Sequence, residues 1–324
     1  MAPSTHRLDV SRPAPATRAP AGREAGRLVA PLHRVTRLAS SDRVLPYLLV
    51  APAVLLVFAL TIYPTLYVLR TSFTDWNLMR TVTRAVGFQN YVDLATDELA
   101  RRALLNTALF QVGSLVIILA LGLALALALN QPGWGRPFFR SVVVLPWALT
   151  AVVVGVMWRW ILMPDIGIVN YWLAGLGINV DFFLSPGAAM VTMILVEVWR
   201  STGYGMILVL AGLQGIDPTL YEAARIDGAG FWRALRYVTL PLLVPTLLVA
   251  TILLSIRAVN LIDIPLVVTG GGPARLTETL GLYMWKESFA FHHIGYGSAV
   301  AIVMFAINLV LTVLYIRSLS QDTR

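Results

Sequence analysis

Cysteine is absent from the 324 residues. That excludes disulfides, thiolate metal sites and cysteine nucleophiles. Lysine is almost absent: Lys286 is the single one, and Trp285 precedes it. A Walker A loop requires G-x-x-x-x-G-K, so the chain carries no P-loop of its own. The run Gly270-Gly271-Gly272-Pro273 reads as a turn rather than a phosphate cradle. Charge of either sign is scarce. Only 13% of residues are charged and 57% are hydrophobic, at a mean hydropathy of +0.73. A water-soluble globule carries roughly 25% charged residues, so this chain belongs in a lipid bilayer. Its formal charge of +8 is read as topology, and no nucleic-acid partner is expected.

What is present instead is a series of apolar runs. A bilayer core takes roughly 20 apolar residues per helix, and such runs fall at about 44–69, 104–129, 141–162, 188–213, 238–262 and 296–318. The expected fold is an all-α polytopic membrane protein with six transmembrane helices. A disordered Arg/Pro/Ala-rich tail is expected over 1–43 and a short cytoplasmic end over 319–324. The tail is too long for the n-region of a secretory signal, and no small-residue cleavage site follows the first run. Eight Arg in the tail stand against Asp9, Glu24 and Asp42, and the 130–140 connection holds Arg136 and Arg140 with no acid. Both segments are therefore expected in the cytoplasm. The 163–187 connection has Asp165 and Asp181 but no Lys or Arg, as an external loop should. Six spans then place both termini and the 214–237 connection inside.

That last connection interrupts the apolar chain with Glu222, Arg225, Asp227, Arg233 and Arg236. Asp217 is a good N-cap and Pro218 suits the first helical position, with Leu220, Tyr221 and Ala224 forming an apolar stripe. Gly228 allows a sharp turn. A second short helix is predicted to carry Phe231, Trp232 and Leu235 on one side and Arg233 and Arg236 on the other, ahead of Pro241 and Pro245. Such a cytoplasmic amphipathic elbow suits a membrane surface or a partner's groove.

The stretch resembles the EAA loop, E-A-A-x3-G-x9-I-x-L-P, of permease subunits of binding-protein-dependent ABC importers. Glu222, Ala223, Ala224, Gly228, Leu240 and Pro241 match, and Val238 replaces Ile. The resemblance covers nearly all of 44–318, taken as the transmembrane domain. It is similar to the carbohydrate branch in its maltose-permease first-subunit form, through LLVAPAVLLVFALTIYPTLYVLRTSF (48–73), GFQNY (87–91), VVLPWALTAVVVGVMWRWIL (143–162), LAGLQGIDPTLYEAARIDGA (210–229) and VVTGGGPARLTETL (267–280). The W-N-x-F element of second subunits is not visible, and neither is the large external insertion of the maltose subunit.

The resemblance implies a non-catalytic subunit in a bacterial inner membrane. Its partners would be a second permease, two ATP-binding subunits that hold ATP and Mg, and an external solute-binding protein. Glu222 would pair with a basic group of the ATPase, Ala223 and Ala224 would permit close approach beside Asp227, and Gly228 would form the bend. The cargo implied is a sugar, with glycerol 3-phosphate or a related phosphodiester as the alternative. A secondary transporter has no use for the EAA pattern, and a membrane-embedded glycosyltransferase would need clustered acids where these are scattered.

Ionisable groups inside spans are functional candidates. Glu197 and Arg200 lie in the fourth run, with Arg257 and Asn260 in the fifth. Mutual neutralisation and a solute-facing role both account for them, with Glu197 placed on the side facing the fifth span. Trp158, Trp160, Trp199 and Tyr204 suit sugar stacking or the membrane interface. Asn106, Gln111 and Asn308 suit the path or interhelical bonds. Adjacent His292 and His293 point apart on a helix, so no metal site is expected.

Overall fold

The structure is a computed structural model that describes residues 45–322. The tail predicted to be disordered and the end of the 319–324 segment lie outside the described residues. Among the described residues there is no strand, only an isolated bridge between Thr74 and Ala85. The chain divides into two units, Met1–Pro64 and Thr65–Arg324.

In the first unit, α1 (Leu45–Val57) runs into a single π-turn (Phe58–Ile62); α2 (Tyr63–Thr71) follows, most of it assigned to the second unit. The Tyr63 N–H reaches the Phe58 carbonyl, and Pro64 follows at once. A proline ring collides with the carbonyl four residues before it. Widening the turn by one residue absorbs the collision without ending the helix.

The second unit holds α3 (Gln89–Thr96), α4 (Glu98–Asn130), α5 (Arg136–Ala148), α6 (Ala151–Ile161), α7 (Ile168–Gly175), α8 (Pro186–Gln214) and α9 (Pro218–Ile226). Next, α10 (Phe231–Ala234) passes through a π-turn (Leu235–Thr239) into α11 (Leu240–Val259). The chain closes with α12 (Leu280–Trp285) and α13 (Ile294–Asp322), preceded by π-turns at Pro265–Thr269 and Lys286–Ala290 respectively.

Five stretches are long and apolar enough to span a membrane: Leu49–Thr71, Glu98–Asn130, Pro186–Gln214, Phe231–Val259 and Ile294–Ser318. The third predicted span is not one straight helix. It is α5 and α6, bent by 94°. Leu149 and Thr150 are extended there, with ψ of 146° and 144°, and the Thr150 hydroxyl accepts from the Val153 N–H to start α6. Pro146 removes a helical N–H from the last turn of α5. Hydropathy does not register caps, so the run reads as continuous from sequence.

The predicted second short helix of the 214–237 connection is also revised. It is the beginning of the fifth span, which starts at Phe231 and ends at Val259. Leu240 N–H bonds the Leu235 carbonyl just before Pro241, the same widened turn that precedes Pro64. Pro241 and Pro245 lie inside one rod.

α8 is the central helix. Of its apolar window 72% is buried, against 22%, 28% and 17% for the spans that begin at Glu98, Phe231 and Ile294. α4 crosses it where Gly122 meets Gly205: a Cβ on Gly122 would lie 3.0 Å from the Gly205 carbonyl carbon and the Met206 nitrogen. Small residues let backbones approach where no hydrophobic force drives helices together. Phe110, Ile118, Met193, Val196 and Leu254 fill the core around that crossing.

A polar cap joins the start of α4 to the connection between α11 and α13. Asp97, the N-cap of α4, accepts from the Leu99 and Ala100 amides at 2.7 and 3.3 Å. It also accepts from the Tyr283 and Tyr296 hydroxyls at 2.5 and 3.1 Å. Burial pushes its carboxyl up, but the Tyr283 bond and the two amides outweigh this and hold it below its ordinary value. Glu278, 2% exposed, accepts from Arg275 Nε and Nη2 at 2.9 and 3.0 Å and from Lys286 Nζ at 2.6 Å. Arg275 also reaches Glu287 at 3.3 Å, and His293 Nδ1 lies 3.2 Å from Glu287.

Candidate functional site

Two regions gather the residues singled out in the sequence. The first is the loop after α8. Asp217 caps α9, accepting from the Thr219 N–H at 2.9 Å, and Pro218 takes the first helical position. Glu222 and Ala223 are exposed, and Ala224 is half-buried. Tyr221 turns inward, its hydroxyl 3.2 Å from that of Thr239 at the foot of α11. Asp227 ends the helix and Gly228 reverses the chain at φ +74. A left-handed φ strains any residue with a Cβ. Behind α9 lies a cavity of about 640 Å³ whose wall includes Tyr221, Glu222, Arg225 and Phe231.

The second region lies between α8 and α11. Glu197, Ser201 and Tyr204 share one helix face at i, i+4 and i+7, with Arg200 beside them. Glu197 Oε1 accepts from the Ser201 hydroxyl at 2.5 Å. Arg200 Nη1 stands 3.7 Å from Glu197 Oε2, and Arg257 Nη2 reaches across from α11 to 3.9 Å from Oε1. Glu197 therefore does face the fifth span. Glu197 and Arg200 are buried, while the Arg257 side chain is 29% exposed. Arg257 opens into a pocket of about 420 Å³ together with Tyr204, Asn260 and Asp263. Asn260 caps the end of α11, donating to the Ile256 carbonyl at 2.7 Å and accepting from Asn308 at 3.4 Å.

Of the aromatic candidates, Tyr204 alone lines this pocket. Trp147 stacks on its ring at 5.0 Å and 13°, delivered by the end of α5 just before the 94° bend. Trp158 packs edge-on against Trp199 at 5.5 Å, its Nε1 buried and without a hydrogen-bond partner among the described residues. Trp160 is exposed. Asn106 belongs to the polar cap, donating to the Leu276 and Glu278 carbonyls at 2.9 Å each. Sequence reasoning missed Ser201, Trp147 and Asp263. Ser201 was findable, four residues after Glu197 on the same face; Trp147 was not, because only the bend brings it to Tyr204.

The apolar spans and the ion triad beside a pocket define a polytopic membrane protein. Residues 118–318 match the family described as "Binding-protein-dependent transport system inner membrane component", and the chain belongs to that family. The sulfoquinovosyl glycerol transport system permease protein SmoG of Agrobacterium fabrum is 37% identical over 88% of this chain and 94% of its own length. The trehalose/maltose transport system permease protein MalF of Thermococcus litoralis is 33% identical over 87% of this chain and 96% of its own. The sn-glycerol-3-phosphate transport system permease protein UgpA of Agrobacterium fabrum is 31% identical over 85% and 94%. A chain from the crystal structure of a bacterial ABC transporter for the acidic polysaccharide alginate shares the fold, with a TM-score of 0.76 at 23% identity over 90% of this chain and 100% of that one.

Proposed function

We propose that residues 44–318 form one of two permeases in a bacterial inner-membrane importer that carries a sugar delivered by an external binding protein. Both termini and the 214–237 loop face the cytoplasm. α9, with Glu222, Ala223, Ala224, Asp227 and Gly228, docks on one of two ATP-binding subunits, where ATP and Mg are held. This subunit supplies the path and the lever and catalyses no reaction.

The observation that carries this reading is the loop itself. A capped helix presents Glu222 outward, turns back at a left-handed Gly228, and leads at once into the rod that ends beside Arg257. Movement of the loop is thereby coupled to the pocket. Sugar is favoured over glycerol 3-phosphate by the Tyr204 ring in the pocket wall, since aromatic faces pack on sugar rings.

The test pairs Glu222→Lys with Gly228→Pro. The double variant is expected to assemble and to dock the loaded binding protein, yet to lose uptake and solute-stimulated ATPase activity. Uptake at the wild-type rate would end the coupling reading. For topology, single cysteines at Ser41 and Ser185 are expected to label from inside and outside respectively; the reverse pattern would overturn the orientation.

A further inference from the structure

The Glu197, Arg200 and Arg257 triad beside the pocket between α8 and α11 carries a charge imbalance that a neutral cargo does not require. Glu197 is shared by two guanidiniums, at 3.7 and 3.9 Å, both beyond hydrogen-bonding distance. Its one close partner is the neutral Ser201 hydroxyl at 2.5 Å. Arg200 is buried with Nε and Nη1 lacking hydrogen-bond partners among the described residues. Guanidinium does not deprotonate in proteins, so one carboxylate stands against two fixed positive charges. Asp263, the other carboxylate in the wall, is exposed and forms no ion pair with Arg257 among the described residues. Arg257 is the member of the triad that reaches the open pocket, and its donors are not engaged by Glu197.

We propose that Arg257 is a specificity-determining residue for an anionic solute, its guanidinium pairing with a sulfonate, carboxylate or phosphate on the sugar or polyol. The inference rests on the permease reading above. The planar guanidinium fork matches such groups with two parallel hydrogen bonds. The bound anion takes up the surplus charge of the triad at Arg257, which has no hydrogen bond to Glu197. The Tyr204 ring, backed by Trp147, lies in the same wall for the rest of the solute. Arg200, held in the interior beside Glu197, sets the sign of the field without touching the cargo.

The experiment measures uptake by cells that express the complete transporter with its own binding protein. The acidic probes are sulfoquinovosyl glycerol, a glucuronic-acid glycoside and glycerol 3-phosphate, and the neutral probes are trehalose and maltose. The expected result is uptake of an acidic probe, with the one accepted identifying which anion is read. Arg257→Gln is expected to lower that uptake about tenfold or more, as befits loss of a charge-assisted bond. Arg257→Lys keeps the charge but not the fork, and is expected to recover only part of the uptake that Arg257→Gln loses. Uptake of neutral probes alone, or an Arg257→Gln variant that assembles and imports the acidic probe at the wild-type rate, overturns the inference while leaving the permease reading intact. Should Arg257→Gln fail to accumulate, the wild-type choice between acidic and neutral probes still decides. Failure of the wild-type complex to import any probe in an ATP-dependent manner counts against the permease reading itself.

Discussion

Two clusters of opposite charges are built into this chain, and they differ in how completely their members satisfy one another. In the polar cap, Glu278 takes three short bonds from Arg275 and Lys286, between 2.6 and 3.0 Å, and Arg275 also holds Glu287. In the spans, Glu197 meets Arg200 and Arg257 only at 3.7 and 3.9 Å, and buried donors of Arg200 have no hydrogen-bond partner among the described residues. The cap follows the rule that buried charges close their hydrogen bonds internally. The triad breaks it. On the reading proposed above, a site that must exchange partners during a transport cycle cannot have all of its bonds made by the protein, and incomplete pairing is what separates that cluster from the scaffold.

The largest expected effect comes from breaking the scaffold. Glu278→Gln strands Lys286 without its counter-charge and leaves Arg275 only Glu287, and removing one partner of a buried pair costs about 3–5 kcal/mol. Loss of assembled complex and a sharply lowered melting transition are expected; an unchanged transition would erase the contrast. Tyr283→Phe is next. It removes a hydroxyl bond to the Asp97 carboxylate, and a hydrogen bond to a charged group contributes about 1.5–3 kcal/mol, read in the same melting assay.

A double-mutant cycle on Glu197→Gln and Arg257→Gln, scored for complex yield, is expected to give a coupling below about 1 kcal/mol, because no hydrogen bond joins them. A coupling as large as that between Glu278 and Lys286 would move the triad into the scaffold class. Acidification should have the smallest effect. Asp97 is held below its ordinary value of 3.8, so its contribution is fully present above that pH and is lost only as pH falls through the lower folded value. Melting should not respond to Asp97 between neutral pH and about pH 4, and Tyr283→Phe should bring the acid-side loss to higher pH.

Much of this was legible in the sequence, because a bilayer enforces long apolar helices and those are visible as hydropathy. The α9 cap at Asp217, the turn at Gly228 and the approach of Glu197 to α11 follow from spacing and residue type. The break at Leu149 and Thr150 does not, since it depends on one hydroxyl bond and one missing N–H. The two proline-linked π-turns were not anticipated: the 44–69 run was read straight through Pro64, and the second short helix was set apart from the fifth span that it begins. The cap cluster escaped notice because Lys286 was informative mainly for the motif it fails to complete. Four charged residues between 275 and 287, in a chain this apolar, were the available signal.

The rod from Phe231 to Val259 spans 29 residues, about 43 Å at 1.5 Å per residue. One end adjoins the proposed ATPase-docking loop, and Arg257 sits at the other. Leverage follows from length alone: a tilt of about 5° about one end carries the other through about 4 Å, more than the gap between a made and a broken ion pair. The departure from regular helix at Leu235–Thr239 lies near the loop end, where a compliant joint leaves nearly the full arm beyond it. Stiffening that joint, by replacing Pro241 with a residue that restores regular helical bonding, should alter the stroke delivered to the pocket without altering a single group that lines it.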